Sequence, residues 1–119
     1  MKLRLAHLTD VHLAPLPPVG TFELMSKRAL GYVSWHRFRK QKHRREVLDA
    51  VVADLHLVGP DHTVVTGDLT NISLSEEFGA AARWLARLGP PERVTVVPGN
   101  HDAYVPGAAE LGWPLWAAY

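Results

Sequence analysis

Short apolar runs alternate in this chain with longer stretches in which apolar residues recur every three or four positions. Three of the runs indicate buried strands, at residues 3–8, 62–66 and 93–97. They are short and bounded by turn residues, and the last two consist largely of valine and threonine, which is typical of strands buried in a parallel sheet. The sequence therefore predicts three strands.

A first helix is predicted from His43 to Val58, because its apolar residues have the spacing of a helix with one buried face. Gly59 and Pro60 follow and end it. The residues assigned to the buried face are Val47, Val51, Leu55 and Val58, with Leu48 and Val52 beside them.

A second helix is predicted between the second and third strands. Ser73 and Glu76 have the spacing of a capping box, and Gly89 with the two prolines after it ends the helix. The buried face comprises Phe78, Ala81, Ala82, Leu85 and Leu88, and Trp84 is assigned to the core. The order β-α-β-α-β predicts an α/β fold with parallel strands and right-handed crossovers.

A polar motif directly follows each strand. The motifs are Asp10-Val11-His12, Gly67-Asp68 and Gly99-Asn100-His101-Asp102. Taken singly, the first two are also compatible with ordinary turns, in which Asp caps a loop and Gly supplies backbone freedom. In a parallel sheet, however, functional groups gather beyond the carboxyl ends of the strands. We therefore expect the three motifs to converge at one place.

These motifs resemble those of the calcineurin-like metallophosphoesterases over nearly the whole chain. Residues 27–45 and 60–69 are most similar to bacterial members grouped with cyclic-nucleotide phosphodiesterases. The resemblance implies a two-metal hydrolase acting on a phosphate ester or nucleotide-like substrate, with a parallel core forming the first half of the family's α/β sandwich. Oxygen and imidazole donors suit Mn, Fe or Zn.

The resemblance also assigns roles to individual residues. Asp68 would bridge two divalent ions, Asp10 and His12 would bind the first, and Asn100 would bind the second through its carbonyl oxygen. His101 would be catalytic rather than a ligand, donating a proton to the leaving oxygen or stabilising the transition state. Asp102 would orient the His101 ring.

Further histidines are expected downstream from the resemblance, one alone and then a G-H-x-H pair, but none follows His101. We therefore expect residues 1–119 to be the N-terminal half of a metallophosphoesterase domain. The C-terminal half would be missing through truncation or supplied as a second chain. Two functions stay open: a phosphoesterase complete only with that half, and a non-catalytic scaffold or binding module that keeps the fold.

Composition narrows the class of protein. The hydrophobic fraction of 47% and the charged fraction of 21% are ordinary for a globular domain. No apolar run approaches the roughly 20 residues that a membrane span requires. No export signal is recognisable, so we expect a cytoplasmic protein. The chain has no cysteine, which excludes disulfides and thiolate ligands.

Positive charge is concentrated in residues 27–45, which carry eight of the 13 Lys and Arg residues although the net charge is only +1. Three interpretations remain: a solvated helix face, a patch attracting an anionic substrate, or a contact with a membrane or nucleic acid, the last as in a nuclease-like member. Tyr32, Trp35 and Phe38 interleave with the cations, which predicts an apolar face opposite a charged one, as in an interfacial helix.

Overall fold

The computed structural model describes residues 1–119 and contains one parallel sheet with the strand order β1-β2-β3. The strands are β1 (Leu5–Thr9), β2 (His62–Thr66) and β3 (Val94–Val97). Leu5 pairs with His62 across the first strand pair, and Val64 pairs with Thr95 across the second. The predicted α/β fold with three parallel strands is confirmed.

Four α-helices accompany the sheet. They are α1 (Arg28–Ser34), which continues into a π-helical turn (Trp35–Arg39), α2 (Arg45–Val58), α3 (Ser75–Leu88) and α4 (Ala108–Gly112). No helix has both the length and the apolar character needed to cross a membrane. Crossovers of one hand between consecutive strands place α2 and α3 on the same face of the sheet. The core lies there, with Val52 and Trp84 packed among Val65 and Val94.

The buried face of α2 differs from the predicted one. Val52 is buried, and the partly buried Leu48 and Leu55 pack beside it against the core. These three residues form one stripe at i, i+4 and i+7. Val47, Val51 and Val58 lie on the neighbouring stripe and are exposed, because no element of the chain covers that side.

The N-cap of α3 lies one residue later than predicted. Leu74 is the N-cap, and its N–H donates to the Glu77 carboxylate at 3.0 Å. Ser73 cannot serve as the cap because its hydroxyl is engaged elsewhere: it donates to the His101 carbonyl and accepts from the Tyr104 N–H. The predicted core residue Trp84 is buried.

The aromatic residues of the basic stretch do not share one face. Trp35 is buried, whereas Phe38 is 66% exposed. The Lys40 N–H donates to the Trp35 carbonyl five residues earlier, which is the hydrogen bond of a π turn. This wider turn rotates Phe38 away from the side that Trp35 occupies.

Candidate metal centre

The loops that follow β1 and β2 have an unusual backbone. Asp10, His12 and Asp68 have φ angles of 54°, 41° and 57°. Residues other than glycine seldom adopt this left-handed region, and such strained conformations cluster at functional sites. The two loops are tied together because the His12 N–H donates to the Asp68 carbonyl at 2.8 Å and the Asp10 N–H donates to the Gly67 carbonyl at 3.3 Å.

Two glycines allow the loops after β2 and β3 to touch. A Cβ on Gly99 would lie 2.3 Å from Asp68 Oδ1, and a Cβ on Gly67 would lie 2.9 Å from the Gly99 Cα. The His101 N–H then reaches Asp68 Oδ1 at 2.9 Å. The glycines in the Gly67-Asp68 and Gly99-Asn100 motifs are therefore required by close approach of the backbone.

One residue from each strand-end loop contributes to a compact group of donor atoms. His12, Asp68 and His101 each place a potential ligand atom within 4.8 Å of the other two. His12 Nε2 lies 3.9 Å from Asp68 Oδ2, and the rings of His12 and His101 meet edge to face with centroids 4.9 Å apart. Two bonds of about 2.0–2.2 Å to one ion place their donor atoms at most about 4.4 Å apart, so the His12–Asp68 pair is within reach of a shared cation.

The other two predicted ligands lie outside this group of three. The Asp10 carboxylate is exposed and accepts a hydrogen bond from the Thr9 hydroxyl at 2.7 Å. That bond is the main reason the pKa of Asp10 lies below its usual value, and the neighbouring His12 and Asp68 lower it further. Asn100 is exposed and precedes the short 3₁₀ turn that begins at His101. Their roles as ligands remain predictions.

His12 carries the most strongly shifted pKa of the site. Burial lowers it to about 4, and the neighbouring His43 and His101 add to the effect, whereas Asp68 opposes it. The Nδ1 atom lies 3.2 Å from the Thr70 carbonyl, which can only accept, so Nδ1 carries the proton. At neutral pH the ring is neutral and its Nε2 lone pair is free, the form that a metal ion requires.

His101 is oriented by a backbone carbonyl. Its Nδ1 lies 2.7 Å from the Asn71 carbonyl and donates to it. We expected the Asp102 carboxylate in this position, but Asp102 is fully buried and accepts from the Thr70 and Gly99 N–H groups at 2.8 and 2.9 Å. Asp102 is turned inward because it satisfies backbone donors of both loops, and it positions the loop rather than the ring.

Two residues of the basic stretch enter the site although no motif marked them. Arg39 Nη1 lies 3.4 Å from both ring nitrogens of His101, and the His43 ring lies 4.6 Å from the His12 ring between centroids. Burial and the adjacent Arg39 lower the pKa of His43. The only sequence signal for them was the cluster of cations, which does not say which members face the site.

Comparison with known proteins agrees with the motifs. The model of the family described as calcineurin-like phosphoesterase matches residues 3–117, a span that includes all three strand-end motifs. Among curated proteins, none matches the sequence significantly.

Proposed function

Because the chain belongs to the calcineurin-like phosphoesterase family, we propose that it takes part in metal-dependent hydrolysis of a phosphate ester. One observation carries the proposal: His12, Asp68 and His101, from three separate strand ends, bring their donor atoms within 4.8 Å of one another. The substrate class that we propose is a phosphodiester or a nucleotide-like phosphate.

The donor set suits divalent transition ions. His12 supplies a neutral imidazole and Asp68 a carboxylate, and we assign both as ligands with Asp10 and Asn100 beside them. Mn, Fe and Zn accept such mixed nitrogen and oxygen donors. When bound, two divalent ions neutralise the phosphoryl oxygens and make a nucleophile of water at neutral pH.

His101 is assigned the proton transfer to the leaving oxygen. Its Nδ1–H is held by the Asn71 carbonyl at 2.7 Å, which fixes the ring and leaves Nε2 as the nitrogen that meets the substrate. Once protonated, Nε2 donates to the departing oxygen. Arg39, 3.4 Å from this ring, is placed to bind an anionic oxygen of the same substrate.

We propose that further ligands come from outside residues 1–119. The group formed by His12, Asp68 and His101, with Asp10 and Asn100 nearby, provides few donors for two ions. The histidines that the resemblance calls for downstream would complete both. Residues 1–119 alone should therefore bind metal weakly and show negligible turnover of a chromogenic phosphodiester.

Calorimetric titration with Mn²⁺ or Zn²⁺ tests the metal site. Asp68→Ala should weaken binding by about 100-fold, since substitution of groups that only support a ligand already costs about 10–100-fold. Asp61→Ala is the matched control, because this carboxylate accepts from the Arg4 N–H at the opposite end of the sheet. An unchanged isotherm for Asp68→Ala would remove Asp68 from the site.

The role of His101 is tested in a protein that also contains the downstream ligands. His101→Ala should lower the rate by roughly 10²–10⁴ while the metal content stays near that of the parent. Loss of metal together with activity would instead make His101 a ligand. A metal-loaded parent without turnover of any phosphate ester would favour the scaffold function.

A further inference from the structure

The basic stretch presents an apolar surface to solvent. On α1 and the π-helical turn, Leu30, Val33 and Phe38 are 74%, 52% and 66% exposed, and Met25 just before them is 82% exposed. A π turn returns the chain after about five residues, and Val33 and Phe38 have this spacing, whereas Trp35 is buried. We call Met25, Leu30, Val33 and Phe38 the apolar stripe.

Positively charged side chains without ion-pair partners lie beside the apolar stripe. Residues 24–45 contain no Asp or Glu. Within them Arg44 and Arg45 pair with acidic residues of α2, whereas Arg37, Lys40 and Lys42 form no ion pair. Arg37 and Lys40 flank Phe38 and are exposed.

Exposed apolar side chains on α2 and near α4 lack this combination. On α2, Val47 and Val51 alternate with Glu46 and Asp49. Near α4, Leu111 directly follows Glu110. The apolar stripe combines large apolar side chains with unpaired cations in a segment that carries no carboxylate.

We propose that the apolar stripe docks on an anionic lipid membrane surface. Burial of its apolar side chains at the headgroup boundary and attraction of its cations to acidic lipids act together, as in interfacial amphipathic helices. Charge complementarity selects an anionic partner. Three of the four residues in the stripe are not aromatic and offer nothing on which a base would stack, which favours lipid over nucleic acid.

The docking segment also reaches the candidate metal centre. Arg39, one residue after Phe38, contacts His101 from the same π-helical turn. The lipid surface and the site are therefore connected through a single turn of the chain, although docking itself does not depend on phosphoesterase activity.

Co-sedimentation with vesicles tests the proposal. The chain should pellet with vesicles of 30% phosphatidylglycerol in phosphatidylcholine at low salt, and binding to phosphatidylcholine alone should be at least about tenfold weaker. Leu30→Glu and Phe38→Glu should each reduce binding by about tenfold, and Lys40→Glu by about fivefold or more. Leu57→Glu, at an 87% exposed position of α2, is the control and should bind like the parent.

A second readout does not rely on variants. Anionic vesicles should slow trypsin cleavage after Arg37 and Lys40 but leave cleavage after Arg83 unchanged. Equal loss of binding in Leu57→Glu, absence of binding to anionic vesicles, or absence of protection at Arg37 would overturn the proposal. Binding to a single-stranded oligonucleotide without binding to vesicles would overturn it in favour of a nucleic-acid groove.

Discussion

The candidate metal centre is built from two regions that differ sharply in packing. Residues 67–74 after β2 are all buried, and the Glu77 and Asp102 carboxylates accept hydrogen bonds from their backbone. In residues 24–45 only Gly31 and Trp35 are buried. Both regions nevertheless deliver side chains to His101. We infer that the first fixes donor positions and the second supplies charge from a loosely packed segment.

This contrast separates stability from function. Removing a group from residues 67–74 or their buried partners should destabilise the fold and disturb the site together. Removing Arg39 from the loosely packed segment should change only what the site binds.

The largest effect is expected from Asp102→Ala. The N–H groups of Thr70 and Gly99 would lose their buried acceptor, and each unsatisfied group costs about 1–3 kcal/mol. The free energy of unfolding in urea should fall by about 3 kcal/mol. Asp54→Ala, an exposed position on α2, should change it by less than about 0.5 kcal/mol. Equal stabilities of the two variants would show that the Asp102 carboxylate does not hold residues 67–74 in place.

A smaller change in stability is expected when the pH is lowered in metal-free buffer. The pKa of His12 is about 4 in the folded protein and 6.5 unfolded, so folding favours the neutral ring. Its contribution to stability is complete above about pH 6.5 and is lost as the pH falls toward 4. Thermal melting should show this loss, and His12→Gln should flatten the curve. If stability fell at acid pH by the same amount in His12→Gln as in the parent, groups other than His12 would be responsible for the loss.

The smallest effect on the fold is expected from Arg39→Met. Stability should stay within about 0.5 kcal/mol and metal affinity within about twofold, because the guanidinium makes no buried bond. Affinity of the metal-loaded chain for inorganic phosphate should fall by about tenfold, the usual size of a lost charge-assisted hydrogen bond. Arg83→Met on α3 is the control. A large stability loss would place Arg39 in the structural framework instead.

Much of the fold could be predicted because it follows from local pattern. Runs of valine and threonine marked β2 and β3, and the motifs after them fell at one sheet edge because parallel strands end there. The valines of α2 were assigned to the wrong stripe, since periodicity alone does not say which stripe another element covers.

Only those residues of the site that belong to sequence motifs could be predicted. His12 and Asp68 belong to motifs that follow strands, and their side chains meet as expected. Arg39 and His43 reach the site through a π turn and a following bend, whose path depends on tertiary contacts. Likewise, adjacency in sequence predicts that Asp102 lies beside the His101 ring. Its carboxylate instead accepts hydrogen bonds from buried N–H groups of another loop.

The contact between Gly67 and Gly99 fixes the distance between the two loops that carry these residues. A Cβ at either position would meet heavy atoms at 2.9 Å or less. The spacing between the Asp68 carboxylate and the loop that carries Asn100 and His101 is therefore set by two peptide backbones in direct contact. We therefore expect substitutions in the hydrophobic core that keep both glycines to leave the distance between the Asp68 carboxylate and the His101 loop unchanged.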